Sequence, residues 1–395
     1  MKVVMLGKWP TGTLNGGVAV HTVNLVKELS KLKGLKLHMV SFSENSEILN
    51  EGKTKIKLIK TKKIYYIFPF IALFKLWSEI KDIKPDIIHL QGSNISPYLL
   101  YTLFLSRNKK IVITFHSNLL QELLAHKKLK VDSLRYKIIK FMVQYTFKRS
   151  DRIISVGSSL KESIIKESNY NISNKVILLP NGVDTDLFDF KIDKKKVRDK
   201  LNISKKDFII FHAKSFVPNN GQQYLIKAFN MSLKLFPNLK LILAGEGPLK
   251  QELIELCKKL GISNNVTFLG DVPHDKIPFL MAASDLVVIP SISINKLEES
   301  SCILALEAMA MKKPVIATNI GGLKDSVING KTGILVNDKN PEEISININK
   351  LINNSPMNYK FRENAFNYIK NERGWTKIAE DTLNVYEFLF ISDQY

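Results

Sequence analysis

The sequence has few cysteines, few acidic residues and no long apolar run, and it lacks the glycine patterns of the commonest cofactor-binding turns. Its 395 residues include two cysteines, Cys257 and Cys302. Two thiols cannot staple a chain of this size, so a disulfide framework is excluded and a reducing, cytosolic setting is expected. The longest apolar run, Ile64–Phe74, contains Pro69 and falls short of the ~18 residues that cross a bilayer. Met1–Leu6 carries one lysine, and Gly7, Lys8 and Pro10 follow too soon for the apolar core of a secretory leader. The turn Gly245-Glu246-Gly247-Pro248 is not a GxGxxG, because Lys250 stands where the third glycine belongs, and the turn at Asn15-Gly16-Gly17 does not fit either. A nicotinamide or flavin enzyme is therefore disfavoured. The phosphate-loop pattern GxxxxGK[ST] is also missing, and no HxxxH or CxxC spacing suggests a metal.

Acidic residues are scarce relative to basic ones: 37 Asp and Glu against 58 Lys and Arg, a net charge of +21. The imbalance is greatest in residues 1–190, which hold 30 Lys and Arg against 15 Asp and Glu. Such a half suits nucleic acid, an anionic membrane surface or acidic substrates, or it reflects a lysine-rich background composition. No nucleic-acid motif accompanies the charge, so a nucleic-acid partner is not expected. With 45% hydrophobic and 24% charged residues, the composition is that of a folded globular chain, and the length suits two or three domains.

Short apolar runs alternate with longer helical patterns. Val3–Leu6, Leu37–Phe42, Ile56–Ile59, Asp86–Leu90, Ile111–Phe115, Arg152–Val156 and Val176–Leu179 read as strands. Helices are expected near Val18–Leu32, Phe70–Lys81, Ser96–Ser106, Leu134–Lys148 and Ser159–Glu167. Strands apolar on both faces belong in a covered parallel sheet, and alternating β and α predicts a doubly wound α/β fold. The turn cluster Pro180-Asn181-Gly182-Val183-Asp184 and the charge-dense Asp189–Lys206 interrupt the pattern. A second series follows, with strands at Phe208–His212, Leu239–Leu243, Val266–Leu269, Leu286–Ile289, Val315–Ala317 and Ile334–Val336. Ligands of such sheets lie off the carboxyl ends of the strands.

The densest chemistry lies in Leu297–Met311. Ser300 or Ser301 can cap a helix, and from Cys302 to Met311 every residue except Glu307 is apolar or small, so that helix should be buried. A buried carboxylate needs a partner. Glu307 can find it in a protein donor or in the diol of a ligand. Glu299 precedes the helix, and the free amides near Cys302 and Ile303 suit a phosphate. An anion seat between two acceptors suits a sugar nucleotide. His116 directly follows a strand, a position where either a capping or a functional histidine is found. His89 and His212 within strands, and His21 and His126 in helical stretches, read as structural. Cys302 has no visible partner for nucleophilic work.

Glu299-x7-Glu307-Ala-Met-Ala, followed by Lys313-Pro314-Val315-Ile316-Ala317-Thr318 and Gly321-Gly322, resembles the donor-site signature of retaining GT-B glycosyltransferases, the large glycogen-synthase-like group. Further matches are Gly16-Gly17, Pro85-Asp86-Ile87-Ile88-His89, Thr114-Phe115-His116, Pro180-Asn181-Gly182-Val183-Asp184, Gly245-Glu246-Gly247-Pro248 and Ser284-Asp285. The resemblance implies two Rossmann-like domains facing each other across a cleft. Residues 1–190 would bind the acceptor, 191–374 the nucleotide sugar, and the helix in 375–395 would return to the first domain.

By the same resemblance, Glu307 would bind the donor ribose and Glu299 the transferred sugar. The amides of Cys302 and Ile303, with Gly16 and Gly17, would hold the diphosphate. His116 would line the sugar pocket near the anomeric carbon, so His116 and Glu299 are the expected catalytic pair. Gly245, Glu246 and Gly247 would complete the donor turn. The resemblance implies no metal and no cofactor beyond the donor substrate, a UDP- or GDP-linked hexose, with a glycan or lipid-linked acceptor in cell-surface glycan synthesis. The alternatives are a catalytically weak binding protein of this fold and a sugar-nucleotide-processing enzyme. Family members usually carry an Arg and, five residues later, a Lys; here Ser215 and Asn220 occupy those places, with Lys214 adjacent. Ser300-Ser301-Cys302 replaces a common Gly-Phe-Gly, and Asp325 a common Glu. Aromatics mix with lysines in Ile56–Trp77 (Tyr65, Tyr66, Phe68, Phe70, Phe74, Trp77) and in Lys127–Arg152. This pattern predicts contact with an anionic membrane, at its inner, cytoplasmic face.

Overall fold

The computed structural model describes residues 1–10, 16–44, 46–60, 69–92, 109–125, 129–131, 133–294 and 297–391. The chain divides into two compact units, residues 1–181 with 375–395 and residues 182–374. The expected helix at Ser96–Ser106, and Asn15, Tyr65, Tyr66, Phe68 and His126, lie outside the described residues.

The first unit contains β1 (Lys2–Leu6), β2 (Lys36–Ser43), β3 (Glu47–Glu51), β4 (Thr54–Lys60), β5 (Ile87–Gln91), β6 (Lys110–Phe115), β7 (Arg152–Ser155) and β8 (Val176–Leu178). Among the described residues they form one sheet in the order β3-β4-β2-β1-β5-β6-β7-β8. All neighbours are parallel except β3 and β4. Along β1 the side chains alternate between faces. Val4 and Leu6 join a core with Ile88, Leu90, Ile111 and Ile113, whereas Val3 and Met5 join one with Ile87, Val112 and Ile154. Both faces are covered, which is why these strands read as unbroken apolar runs. β3 was not apparent from the sequence: it is an edge strand with exposed Glu47, Ile48 and Asn50, held by its pairing with β4 rather than by a buried face.

Helix α1 (Gly17–Leu29) opens at Gly16, whose φ of 88° suits glycine. Helices α2 (Pro69–Ile80), α3 (Leu119–Ala125), α4 (Leu134–Arg149) and α5 (Ser158–Glu167) follow.

The second unit contains β9 (Phe208–Ala213), β10 (Leu239–Ala244), β11 (Val266–Gly270), β12 (Leu286–Ile289), β13 (Val315–Thr318) and β14 (Ile334–Val336). Their order is β11-β10-β9-β12-β13-β14, all parallel. This is the doubly wound arrangement in which chain direction across the sheet reverses between the first and fourth strands. The charge-dense stretch after residue 189 supplies α6 (Lys194–Lys200), capped by Asp193. An arginine rather than an apolar stripe anchors it. The buried Arg198 guanidinium binds Asp285 and the carbonyls of Ala283 and Asp207, so the local pattern carried no helix signal.

α7 (Gln222–Leu233), α8 (Lys250–Lys259), α9 (Ile277–Ala283), α10 (Ile303–Ala310), α11 (Leu323–Ser326), α12 (Pro341–Asn353) and α13 (Ser355–Glu372) complete this unit. The last helix, α14 (Trp375–Ile391), belongs to the first unit. Its Trp375, Ile378, Tyr386 and Leu389 pack with Leu25 and Leu29 of α1 and Met5 of β1.

Candidate functional site

In the second unit, the carboxyl ends of β9 and β12 flank the point where the strand order reverses. Lys214 follows β9 and Ser291 follows β12 shortly after its last residue. Both reach Glu299: the Lys214 ammonium forms an ion pair with Oε2, and Ser291 Oγ donates to the same oxygen at 2.6 Å. All three side chains are largely buried. Burial opposes a charge on Lys214, but the adjacent Glu299 outweighs it and holds the ammonium's pKa above its ordinary value. Among the described residues no protein group bonds Oε1 of Glu299.

Helix α10 carries Glu307 one turn beyond its start, and its neighbours Leu304, Ala305, Leu306, Ala308 and Met309 are all buried. Glu307 is buried as well. Its partner is His274, in the loop after β11, which donates from Nε2 to Oε1 at 2.7 Å. Burial works against a charge on His274, yet its bond to Glu307, helped by Asp184 and Asp275, raises the imidazole pKa. A protein donor therefore claims one oxygen of Glu307, while Oε2 has no bonded partner among the described residues, and no Lys or Arg among them locks the group.

The expected serine cap is absent. Cys302 is the N-cap, and no side-chain hydrogen bond closes the helix. The loop from Glu298 to Ser301 is instead tied to the double glycine after β13: Gly322 N–H bonds Glu299 O at 2.6 Å and Gly321 N–H bonds Glu298 Oε2 at 3.0 Å. That tether draws Ser300 and Ser301 away from the cap position and leaves the first amides of α10, at Ile303 and beyond, without a capping oxygen. Burial pushes the Cys302 thiol up to about 12, so it is inert as a nucleophile at neutral pH.

Ser215 and Asn220 lie beyond the carboxyl end of β9, and Gly245, Glu246 and Gly247 beyond that of β10. Ser215 O accepts from Asn220 Nδ2 at 2.7 Å and from Gln222 Nε2 at 3.0 Å, so Asn220 braces the turn where a cation was expected. Gly245 lies against Lys214: a Cβ there would stand 2.2 Å from the Lys214 carbonyl oxygen. Gly247 similarly packs on Phe216. The Glu246 side chain turns outward and pairs with Lys250, leaving only its backbone in the turn, where its carbonyl accepts from Phe216 N–H at 2.8 Å. In the first unit Gly16 and Gly17 open α1, while His116 follows β6 and bonds Gln91 Oε1 through Nε2 at 3.0 Å. Among the described residues no group of His, Cys, Asp or Glu side chains converges as a metal would require.

The family of glycosyl transferases group 1 matches residues 193–368, and Glycosyltransferase Family 4 matches residues 15–187. The chain belongs to these glycosyltransferases. Two uncharacterized glycosyltransferases of Methanocaldococcus jannaschii are among its relatives. MJ1607 is 31% identical over 64% of this chain and 63% of its own length. MJ1178 is 28% identical over 95% of each. Anabaena Alr3699/HepE, solved in complex with UDP and glucose, superposes with a TM-score of 0.76 at 20% identity, covering 98% of this chain and 99% of that one. The fold of this glycosyltransferase is thus GT-B, with two Rossmann-like units.

Sequence reasoning missed Ser291, His274 and Gln91 in this glycosyltransferase. All three lie at or just beyond the carboxyl ends of parallel strands, β12, β11 and β5. Scanning those ends for polar residues would have found them.

Proposed function

We propose that the chain is a retaining, metal-independent hexosyltransferase that takes a hexose from a UDP- or GDP-linked donor and delivers it to a lipid-linked or polysaccharide acceptor. The observation that carries this reading is the start of α10: a helix N-terminus without a side-chain cap, flanked by Glu299 and Glu307, each with one carboxylate oxygen unclaimed by the described protein. The amides would take the donor diphosphate, Glu307 Oε2 the ribose hydroxyls and Glu299 Oε1 a sugar hydroxyl. The acceptor hydroxyl would attack the face that the nucleotide leaves, and the departing diphosphate oxygen would take its proton. Fixed dipoles at the helix end would stabilise charge developing on that oxygen.

The test is a thermal-shift panel of UDP, GDP, ADP and their sugars. One nucleotide class should raise the melting temperature, because a ligand of the native state stabilises it by mass action. Glu307→Ala should abolish the shift; a shift that survives unchanged would remove Glu307 from the site. A second reading, a catalytically weak binding protein, draws on Lys214 being committed to Glu299. It predicts nucleotide binding with no donor hydrolysis or transfer.

Membrane contact is part of the proposal. Helix α4 has no Asp or Glu, and it exposes Leu134, Ile138 and Phe141 beside Arg135, Lys137 and Lys140. Between it and α3 lies an apolar groove of about 740 Å³, lined by Leu119, Leu123, Ile139 and Met142. A cationic helix with an exposed apolar face suits anionic lipid. Among the described residues no helix is long and apolar enough to cross a bilayer. Flotation with anionic vesicles should be salt-sensitive and should weaken in Phe141→Glu.

A further inference from the structure

The carboxyl ends of β5 and β6 hold a chain of polar side chains that leads inward from the half-buried His116. His116 Nε2 lies 3.0 Å from Gln91 Oε1. Gln91 Nε2 lies 3.3 Å from His89 Nε2 and 3.6 Å from Met5 Sδ. His89 Nε2 is also 2.7 Å from Thr114 Oγ1, and His89 Nδ1 is 2.5 Å from the hydroxyl of Tyr386 in α14. His89 and Tyr386 are fully enclosed, Gln91 nearly so. Gly7 makes room for Gln91: a Cβ there would stand 2.8 Å from Gln91 Cβ.

Donor and acceptor chemistry fixes the protons along this chain. A thioether sulfur can only accept, so the amide nitrogen of Gln91 faces Met5 and its oxygen faces His116. An amide oxygen can only accept, so His116 Nε2 carries hydrogen. Burial beside His21 and His89 keeps His116 neutral, and a neutral imidazole holds one such proton, so its Nδ1 is bare. At the other end, the Gln91 N–H requires a lone pair on His89 Nε2. The Thr114 hydroxyl donates to the same nitrogen, and His89 Nδ1–H therefore donates to Tyr386.

A neighbouring ring is set in the opposite sense to the same effect. His21 Nδ1 donates to Asn181 Oδ1 at 2.7 Å, and its buried Nε2 has no partner among the described residues. The His21 and His116 ring centroids are 4.6 Å apart. Two adjacent imidazoles thus each carry a lone pair that no described protein donor satisfies, enclosed at His21 and half-exposed at His116.

We propose that Gln91 is a positioning residue for the transfer reaction: it holds His116 in the Nε2–H tautomer, so that Nδ1 meets a sugar hydroxyl as a bare acceptor. The proposal rests on the reading that places His116 against the sugar. Without the Gln91 oxygen, the proton is free to move to Nδ1, where it would oppose the hydroxyl hydrogen.

Long-range 15N–1H correlation spectra of the full chain, labelled with 15N-histidine, read the tautomer directly, with His116→Ala identifying the His116 signals. The wild type should show His116 protonated at Nε2 alone at neutral pH. Gln91→Met, which keeps the volume and removes the acceptor, should show a mixture of tautomers. Its kcat should fall about tenfold, the size of one hydrogen bond lost in the transition state, and circular dichroism checks its fold. A wild-type His116 protonated at Nδ1 overturns the proposal before any variant is made, and an unchanged tautomer in Gln91→Met removes Gln91 from the role. Full transfer by His116→Ala would instead overturn the placement of His116 against the sugar while leaving the tautomer readings intact, so the two failures are distinguishable.

Discussion

Lys214 and Glu299 show how a single residue's chemistry depends on its partner. Each is buried deeply enough that an unpaired charge would be costly, and each is the other's counter-ion. Breaking a buried pair costs more than the pair contributes, because one charge is left behind. Lys214→Met should therefore destabilise the protein by about 3 kcal/mol, measured by urea unfolding. Lys214→Met combined with Glu299→Gln should recover most of that loss. If the double variant is as unstable as the single one, the charge left on Glu299 is not the cause. The same pair bears on catalysis, since Ser215 and Asn220 supply no positive charge and Lys214 is already neutralised. On the proposed reading, the amides at the start of α10 would then supply positive potential to the diphosphate.

At the scale of elements, the loop from Glu298 to Ser301 is positioned by its neighbours. A Cβ on Gly322 would stand 2.1 Å from Ser300 O, and one on Gly321 would stand 2.1 Å from Glu299 O. The double glycine after β13 lets two backbone segments touch, and that contact holds Glu299 before α10. Gly322→Ala must push the segments apart, at a cost of about 2 kcal/mol, the usual size of such overpacking. It should lower the melting temperature and weaken nucleotide binding together. A normal melt with lost binding would mean that the loop acts other than by position.

For the molecule as a whole, histidine burial sets the response to acid. Burial lowers His21 to about 4, His89 to about 3 and His212 to about 4, and lowers His116 well below the usual range. These rings stay neutral in the folded chain while an unfolded chain protonates them near 6.5. The unfolded state then binds more protons, so stability falls as pH drops below about 6.5 and goes on falling towards 4. His274 has the opposite sign: its raised pKa contributes stability that is full below about 6.5 and is lost as pH rises through the folded value. Thermal melts from pH 7 to pH 4 should show a steady decline. The gap between wild type and His274→Asn should be widest at the acid end; a gap independent of pH would mean that His274 is not protonated against Glu307.

Much of this was legible in the order of residues. Runs such as Val3–Leu6 and Leu286–Ile289 are apolar at every position because both faces of each sheet are covered, and that periodicity belongs to the strand itself. Glu307 stood out as one acid in a buried helix, and Gly321-Gly322 as part of the donor-site signature. What it could not contain was who meets whom. His274 lies 33 residues before Glu307, and Lys214 lies 85 residues before Glu299. The second encounter follows from the order of strands across the sheet, which places the ends of β9 and β12 side by side; the first needs the loop after the edge strand β11 to reach helix α10. Local pattern specifies a strand and its faces, but strand order is settled by the packing of the whole unit, and the partners of a buried charge are settled with it.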